Sequence, residues 1–230
     1  QNLFEQYKTF PEYIHVHFDL DLNGFKRIFF WEYLHRILGR VIGLTILIPY
    51  FVFLFQNKLS KSLKKHGLMM IILVILQGLM GWYMVKSGLV DRPDVSHYRL
   101  AAHLLLAFFL FQYIFFTLLR VRFDHLFLMR DFGKLYPLSI VLVIFVSIQI
   151  MYGAFTAGLD AGLGYNTFPK MGSEWIPSSV SRLSPIWINF IENQFMVQFM
   201  HRFFAWFLGI YLIILGTYGY RYHLFGALQH

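Results

Sequence analysis

The sequence predicts an all-α, polytopic membrane helix bundle, and three observations carry that prediction. Five apolar runs of roughly 20 residues recur along the 230-residue chain, each long enough to cross a hydrocarbon core as a helix. Basic residues gather in the connections between alternate runs, the pattern that orients spans across a bilayer. A motif of ionisable side chains, costly at membrane depth, occurs twice with the same internal spacing. Composition agrees, since 57% hydrophobic against 14% charged residues lies outside the range of an ordinary soluble domain. The formal charge of +8 sits in loops, so it reads as orientation, and nucleic acid is not an expected partner. No cysteine is present, which excludes disulfides and thiolate metal sites.

Taken in order, residues 1–27 are amphipathic and polar, with neither an initiating Met nor a signal peptide. The first span, 29–55, contains Pro49, which is expected to kink it, and Gly39-x-x-x-Gly43, a small-residue face that admits a neighbouring helix. Lys58, Lys61, Lys64 and Lys65 then mark a cytoplasmic loop before the second span, 67–85. An external connection, 86–97, carries Lys86, Asp91 and the turn Arg92-Pro93-Asp94. After the third span, 98–119, Arg120, Arg122, Arg130 and Lys134 mark the other cytoplasmic loop. Pro137 opens the fourth span, 137–158, at a position where its missing N–H costs nothing. A long external segment, 159–194, leads to the fifth span, 195–220. The division that follows is an N-terminal half over 1–119, a linker over 120–136 and a C-terminal half over 137–230.

The two halves repeat each other. Glu32-x-x-His35-Arg36, followed by Gly43, aligns with Gln198-x-x-His201-Arg202, followed by Gly209, and upstream Tyr7-Lys8-Thr9-Phe10-Pro11 aligns with Tyr165-Asn166-Thr167-Phe168-Pro169. Both copies run from outside inward, as in a parallel repeat. His103 follows His35 in the first copy, and its counterpart after His201 would fall near position 269 at similar spacing. The repeat therefore predicts an eight-helix protein of which this chain holds the second to sixth spans, and which is not expected to be active as this segment alone.

Chemistry concentrates at His35, His103 and His201, four to seven residues inside the outer ends of their predicted spans, hence roughly 6 to 10 Å below the external interface. Imidazoles at one level on different helices are suited to clamp a haem iron. A hydrogen-bonded interior histidine is the alternative for each taken singly, and His97 competes with His103 as a ligand. The other histidines, His15, His17, His66, His125, His223 and His230, read as solvated. Glu32 is the asymmetric feature, because Gln198 in the second copy cannot exchange a proton. It reads as an acid, a base or a stabiliser of positive charge, with pairing to Arg36 or Arg40 as the structural alternative. Arg36, Arg40, Arg99 and Arg202 suit haem propionates or lipid headgroups equally. Gln77-x-x-x-Gly81 and Gln149-x-x-x-Gly153 recur as faces that make room for a neighbour or a flat ligand.

Five stretches together resemble the haem A synthase family over essentially the whole chain. They are Phe30-Trp31-Glu32-Tyr33-Leu34-His35-Arg36, Val95-Ser96-His97-Tyr98-Arg99-Leu100-Ala101-Ala102-His103-Leu104, Gly153-Ala154-Phe155-Thr156-Ala157-Gly158-Leu159-Asp160-Ala161-Gly162, Phe168-Pro169-Lys170-Met171 and Val197-Gln198-Phe199-Met200-His201-Arg202. The absence of cysteine is similar to the branch without an external cysteine pair. The resemblance implies an oxidoreductase of two four-helix halves that oxidises the C8 methyl of haem O to the formyl of haem A for terminal oxidase biogenesis. It implies that His35 and His103 flank the substrate haem, that Glu32 is the catalytic carboxylate, and that His201 is one ligand of a haem b. Its implied surroundings are the lipid bilayer, haem O synthase and terminal oxidase assembly proteins, and a homo-oligomer is compatible with it. A bacterial plasma membrane is the expected location, with the mitochondrial inner membrane as the alternative and the histidines toward the external side. Two other readings differ in kind. A non-enzymatic di-haem b electron carrier needs no acid at position 32, and a transporter needs its sites near the midplane.

Overall fold

A computed structural model of the chain describes residues 2–86, 95–123 and 133–227, with side chains described as far as 221. It resolves into two compact units, 1–122 and 123–230. The described residues form helices without strands, apart from an isolated bridge between Met171 and Glu174. Five of these helices are long and apolar enough to cross a membrane. The turn expected at residues 92–94, together with Asp91, His125, Arg130, His230 and the His223 side chain, lies outside the described residues.

In the first unit, two short helices, α1 (Asn2–Tyr7) and α2 (Pro11–His15), precede the long α3 (Leu22–Phe55). Apolar rings hold this segment on the start of α3: Tyr7 lies 5.0 Å from Phe25 and Phe4 lies 5.1 Å from it, ring centre to ring centre. Burial there, with the Glu12 carboxylate beside it and Glu32 adding its charge, pushes the Tyr7 phenol up to about 12.

The start of α3 corrects the predicted span. Asp21 caps the helix by accepting from the Gly24 N–H at 2.7 Å, so α3 begins at Leu22, ahead of the apolar run. Depth counted from helix starts is accordingly unequal, because His35 lies thirteen positions into α3 while His103 and His201 lie six and seven into their helices. The extra turns of α3 carry Lys26 and Arg27, which belong to the polar interface rather than the hydrocarbon. The helix continues through Pro49 to Phe55.

Helix α4 (Lys61–Lys86) packs on α3 and on α5 (His97–Arg122). Of the predicted small-residue face, Gly43 is buried against Val74, whereas Gly39 faces open space. At the other end, the Tyr50 hydroxyl donates to the Lys64 carbonyl at 3.1 Å, and its ring fills the space a side chain at Gly67 would need. His66 Nδ1 lies 2.8 Å from the Tyr113 hydroxyl, joining α4 to α5, so His66 is not the solvated loop histidine the sequence suggests.

In the second unit, α6 (Leu135–Gly158) packs along α8 (Gln194–Ala227), and the Tyr211 hydroxyl donates to the Leu138 carbonyl at 2.7 Å. Between them, three 3₁₀ turns and the short α7 (Asn189–Glu192) fold into a compact cover. Its centre is Asn189, fully buried, which accepts from the Leu183 N–H at 3.0 Å and donates to the Leu183 and Ile186 carbonyls at 2.8 and 2.9 Å. Asn193 continues the network, donating to Asn189 at 2.8 Å and to the Ser179 carbonyl at 2.9 Å while accepting from the Phe195 N–H at the start of α8. An apolar residue at 189 strands several of these buried groups at once. Asn189→Leu is therefore expected to destabilise the cover by about 2–4 kcal/mol, read as faster proteolysis between residues 159 and 193 with α6 and α8 intact.

Candidate functional site

Each unit contains one imidazole built into a helix pair in the same way. In the first, α5 presents His103 to α4, where the Gln77 amide nitrogen lies 3.2 Å from Nδ1, 3.3 Å from Nε2 and 3.2 Å from the His103 carbonyl. One turn along α4, a Cβ at Gly81 would come 3.1 Å from His103 Cε1, so the ring rests on bare helix backbone. In the second, α8 presents His201 to α6, and Gln149 lies 3.2 Å from His201 Nδ1 and 3.2 Å from its carbonyl. A Cβ at Gly153 would come 3.2 Å from His201 Cε1. The recurring Gln-x-x-x-Gly faces thus do make room for a neighbour, and that neighbour is the imidazole itself. Spacing within one helix reveals which residues share a face but not what stands opposite, so the pairing was not legible beforehand.

His35 lies on α3 with an exposed ring, and it is an electrostatic neighbour of half-buried His103 within the same unit. His97, the competing candidate, is buried at the start of α5 with its ring 4.0 Å from that of Tyr98.

The two copies of the Glu/Gln-x-x-His-Arg motif are wired differently. Gln198 is buried and donates to the Tyr165 carbonyl at 2.9 Å, and Arg202 donates to that same carbonyl at 2.6 Å and to the Thr167 carbonyl at 2.7 Å. These bonds tie the external cover to the first turns of α8. At the matching positions, Glu32 accepts a charge-assisted hydrogen bond from Arg36, with both side chains about half exposed. The chemical reason is plain: an amide can donate to a backbone carbonyl, whereas an ionised carboxylate only accepts. Arg99 is spent on α4, donating to the Tyr83 carbonyl at 2.9 Å with its guanidinium 3.9 Å from the Tyr83 ring. Of the four arginines considered for propionates, Arg36, Arg99 and Arg202 therefore have protein partners.

The donor set fits a haem better than a bare ion. Among the described residues no group of three or more His, Cys, Asp or Glu converges as a metal ion would require. Iron inside a porphyrin already has its four equatorial nitrogens and needs only axial imidazoles, each oriented by a partner on its second nitrogen. His201 meets that description, with Gln149 at Nδ1, while the Gln77 amide spans both ring nitrogens of His103.

The chain is 46% identical over 90% of its length to the haem A synthase of Nitrosospira multiformis, covering 59% of that protein. It is 43% identical to the haem A synthase of Flavobacterium johnsoniae, over 90% of the chain and 61% of that protein. Against that of Wolbachia pipientis wMel it is 42% identical, over 87% and 57%. The chain thus spans about three-fifths of the length of these relatives. No solved structure matches it. The sequence model of the COX15-CtaA family, described as cytochrome oxidase assembly protein, matches residues 1–228, and the chain belongs to that family.

Proposed function

We propose that the protein containing this chain is a haem A synthase, an oxidoreductase of a bacterial plasma membrane that converts the C8 methyl of haem O to the formyl of haem A. The observation that carries this reading is the repeated imidazole cradle combined with its one chemical asymmetry, Glu32 against Gln198. Two similar sites that differ by a titratable group suit a division between a reacting half and a holding half.

In the first half, His35 and His103 bracket the substrate haem O, and Glu32 serves the reacting carbon. Written with water as the formal oxygen source, conversion of a methyl to a formyl group releases four electrons and four protons. In this reading Glu32 takes a proton from the reacting methyl carbon or offsets positive charge developing there. Arg36, one turn away, donates to its carboxylate and orients it. In the second half, His201 is one ligand of a resident haem b, which supplies one-electron transfer when bound. Gln198 and Arg202 tie the cover to the start of the helix that carries His201. Among the described residues Glu32 is bonded instead to Arg36 on its own helix, in keeping with a substrate that must enter and a product that must leave. The histidines lie toward the external side, the lysine-rich loop near Lys58 being cytoplasmic. An enzyme that delivers haem O and the terminal oxidase assembly proteins that accept haem A are the matching partners.

The test is conversion. Membranes carrying the full-length protein and supplied with haem O are expected to accumulate haem A on pigment chromatography. Haem-loaded protein that yields no haem A would instead be the electron carrier.

A further inference from the structure

The carboxamides of Gln77 and Gln149 have a role that the sequence motif did not disclose. Both meet a histidine across a helix pair, with the partners 26 positions apart in one unit and 52 in the other, so chain proximity does not produce the contact. Both contacts include the Nδ1 atom and the backbone carbonyl of the same histidine. In both, a glycine one turn away brings the ring edge against the backbone of the neighbouring helix. In both, the carboxamide oxygen Oε1 is buried with no hydrogen-bond partner. A buried amide oxygen left unpaired is costly, and its appearance at two equivalent positions calls for a functional explanation.

We propose that Gln77 and Gln149 are positioning residues that orient the rings of His103 and His201 and set how strongly each imidazole donates; Gln77 spans both ring nitrogens of His103, whereas Gln149 meets only Nδ1 of His201 and leaves its Nε2 for iron. This rests on the reading of the two histidines as axial ligands. An imidazole bound to iron through Nε2 keeps its proton on Nδ1 and needs an acceptor there. The amide nitrogen now beside Nδ1 is a donor and suits only the other tautomer. A half-turn of the carboxamide exchanges its nitrogen and oxygen and brings the unpaired Oε1 to the Nδ1 proton. The histidine carbonyl released by that turn belongs to a helix and has its own intrahelical donor. Hydrogen bonding at Nδ1 makes the imidazole a stronger donor, which favours ferric iron and lowers the reduction potential.

Potentiometric titration of the haem bound at His201 in the full-length protein tests the idea, with Gln149→Glu and Gln149→Leu beside the wild type and His201→Ala. Gln149→Glu keeps an acceptor of greater strength and is expected to retain the haem at a lower potential. Gln149→Leu removes the acceptor and is expected to shift the potential upward. Should the leucine variant fail to fold, the glutamate variant alone carries the test. A residue that merely fills space between α6 and α8 would leave the glutamate variant titrating as wild type, and that result overturns the proposal. If His201→Ala loses this haem while both Gln149 variants match wild type, the positioning role alone is wrong. If His201→Ala keeps the haem at an unchanged potential, the ligand assignment beneath it is wrong as well.

Discussion

Glu32→Gln in the full-length protein is expected to lower haem A formation by roughly 100-fold or more, the scale of a lost general acid or base, while both haems stay bound. The fold tolerates the change for a reason visible in the second unit, where Gln198 occupies the matching position and is buried and bonded. Loss of the Arg36 partnership is a small structural matter, because both side chains are about half exposed and such pairs contribute about 0–1 kcal/mol. Any large loss of product then reflects the missing proton-exchanging group and not an unfolded protein. Haem O accumulating on protein of normal pigment content is the expected pattern in a chromatographic assay. Normal haem A production by this variant would remove Glu32 from the chemistry and leave it as the ion-pair partner of Arg36.

The second large effect concerns pigment. His201→Ala is expected to lose the resident haem b while leaving haem O or haem A in the first half. His103→Ala is expected to do the reverse, because each imidazole is held by its own carboxamide and glycine within its own unit. Alanine is the strongest helix former, so α5 and α8 persist in these variants. Extraction and absorbance of the two purified proteins distinguish the outcomes. Loss of the same pigment from both would show that the two histidines do not serve separate sites.

How much of this could be read from the chain differs by the kind of interaction. Span number and approximate limits were legible, since a bilayer demands long apolar runs and helices within it. The early start of α3 was not, because Asp21 and Gly24 form a cap inside a segment whose polarity suggested a loop. The duplicated motif offered His35, His201 and Glu32 as candidates and the predicted depth added His103, while the pairing of Glu32 with Arg36 follows from their spacing of four. Gln77 and Gln149 were visible only as recurring positions, because their partners lie on another helix at unequal chain distances. Asn189 and Asn193 were missed altogether. Polar residues in an external loop read as solvated, and only the folded cover shows that they form its interior. Of the small-residue face, Gly43 meets Val74, and among the described residues Gly39 meets no neighbour.

The most direct test of the whole account is the haem content of full-length protein in which His35, His103 and His201 are all changed to alanine. If imidazoles on these helices grip both macrocycles, the purified protein is inserted in the membrane and colourless. Retention of haem with the wild-type spectrum would contradict it.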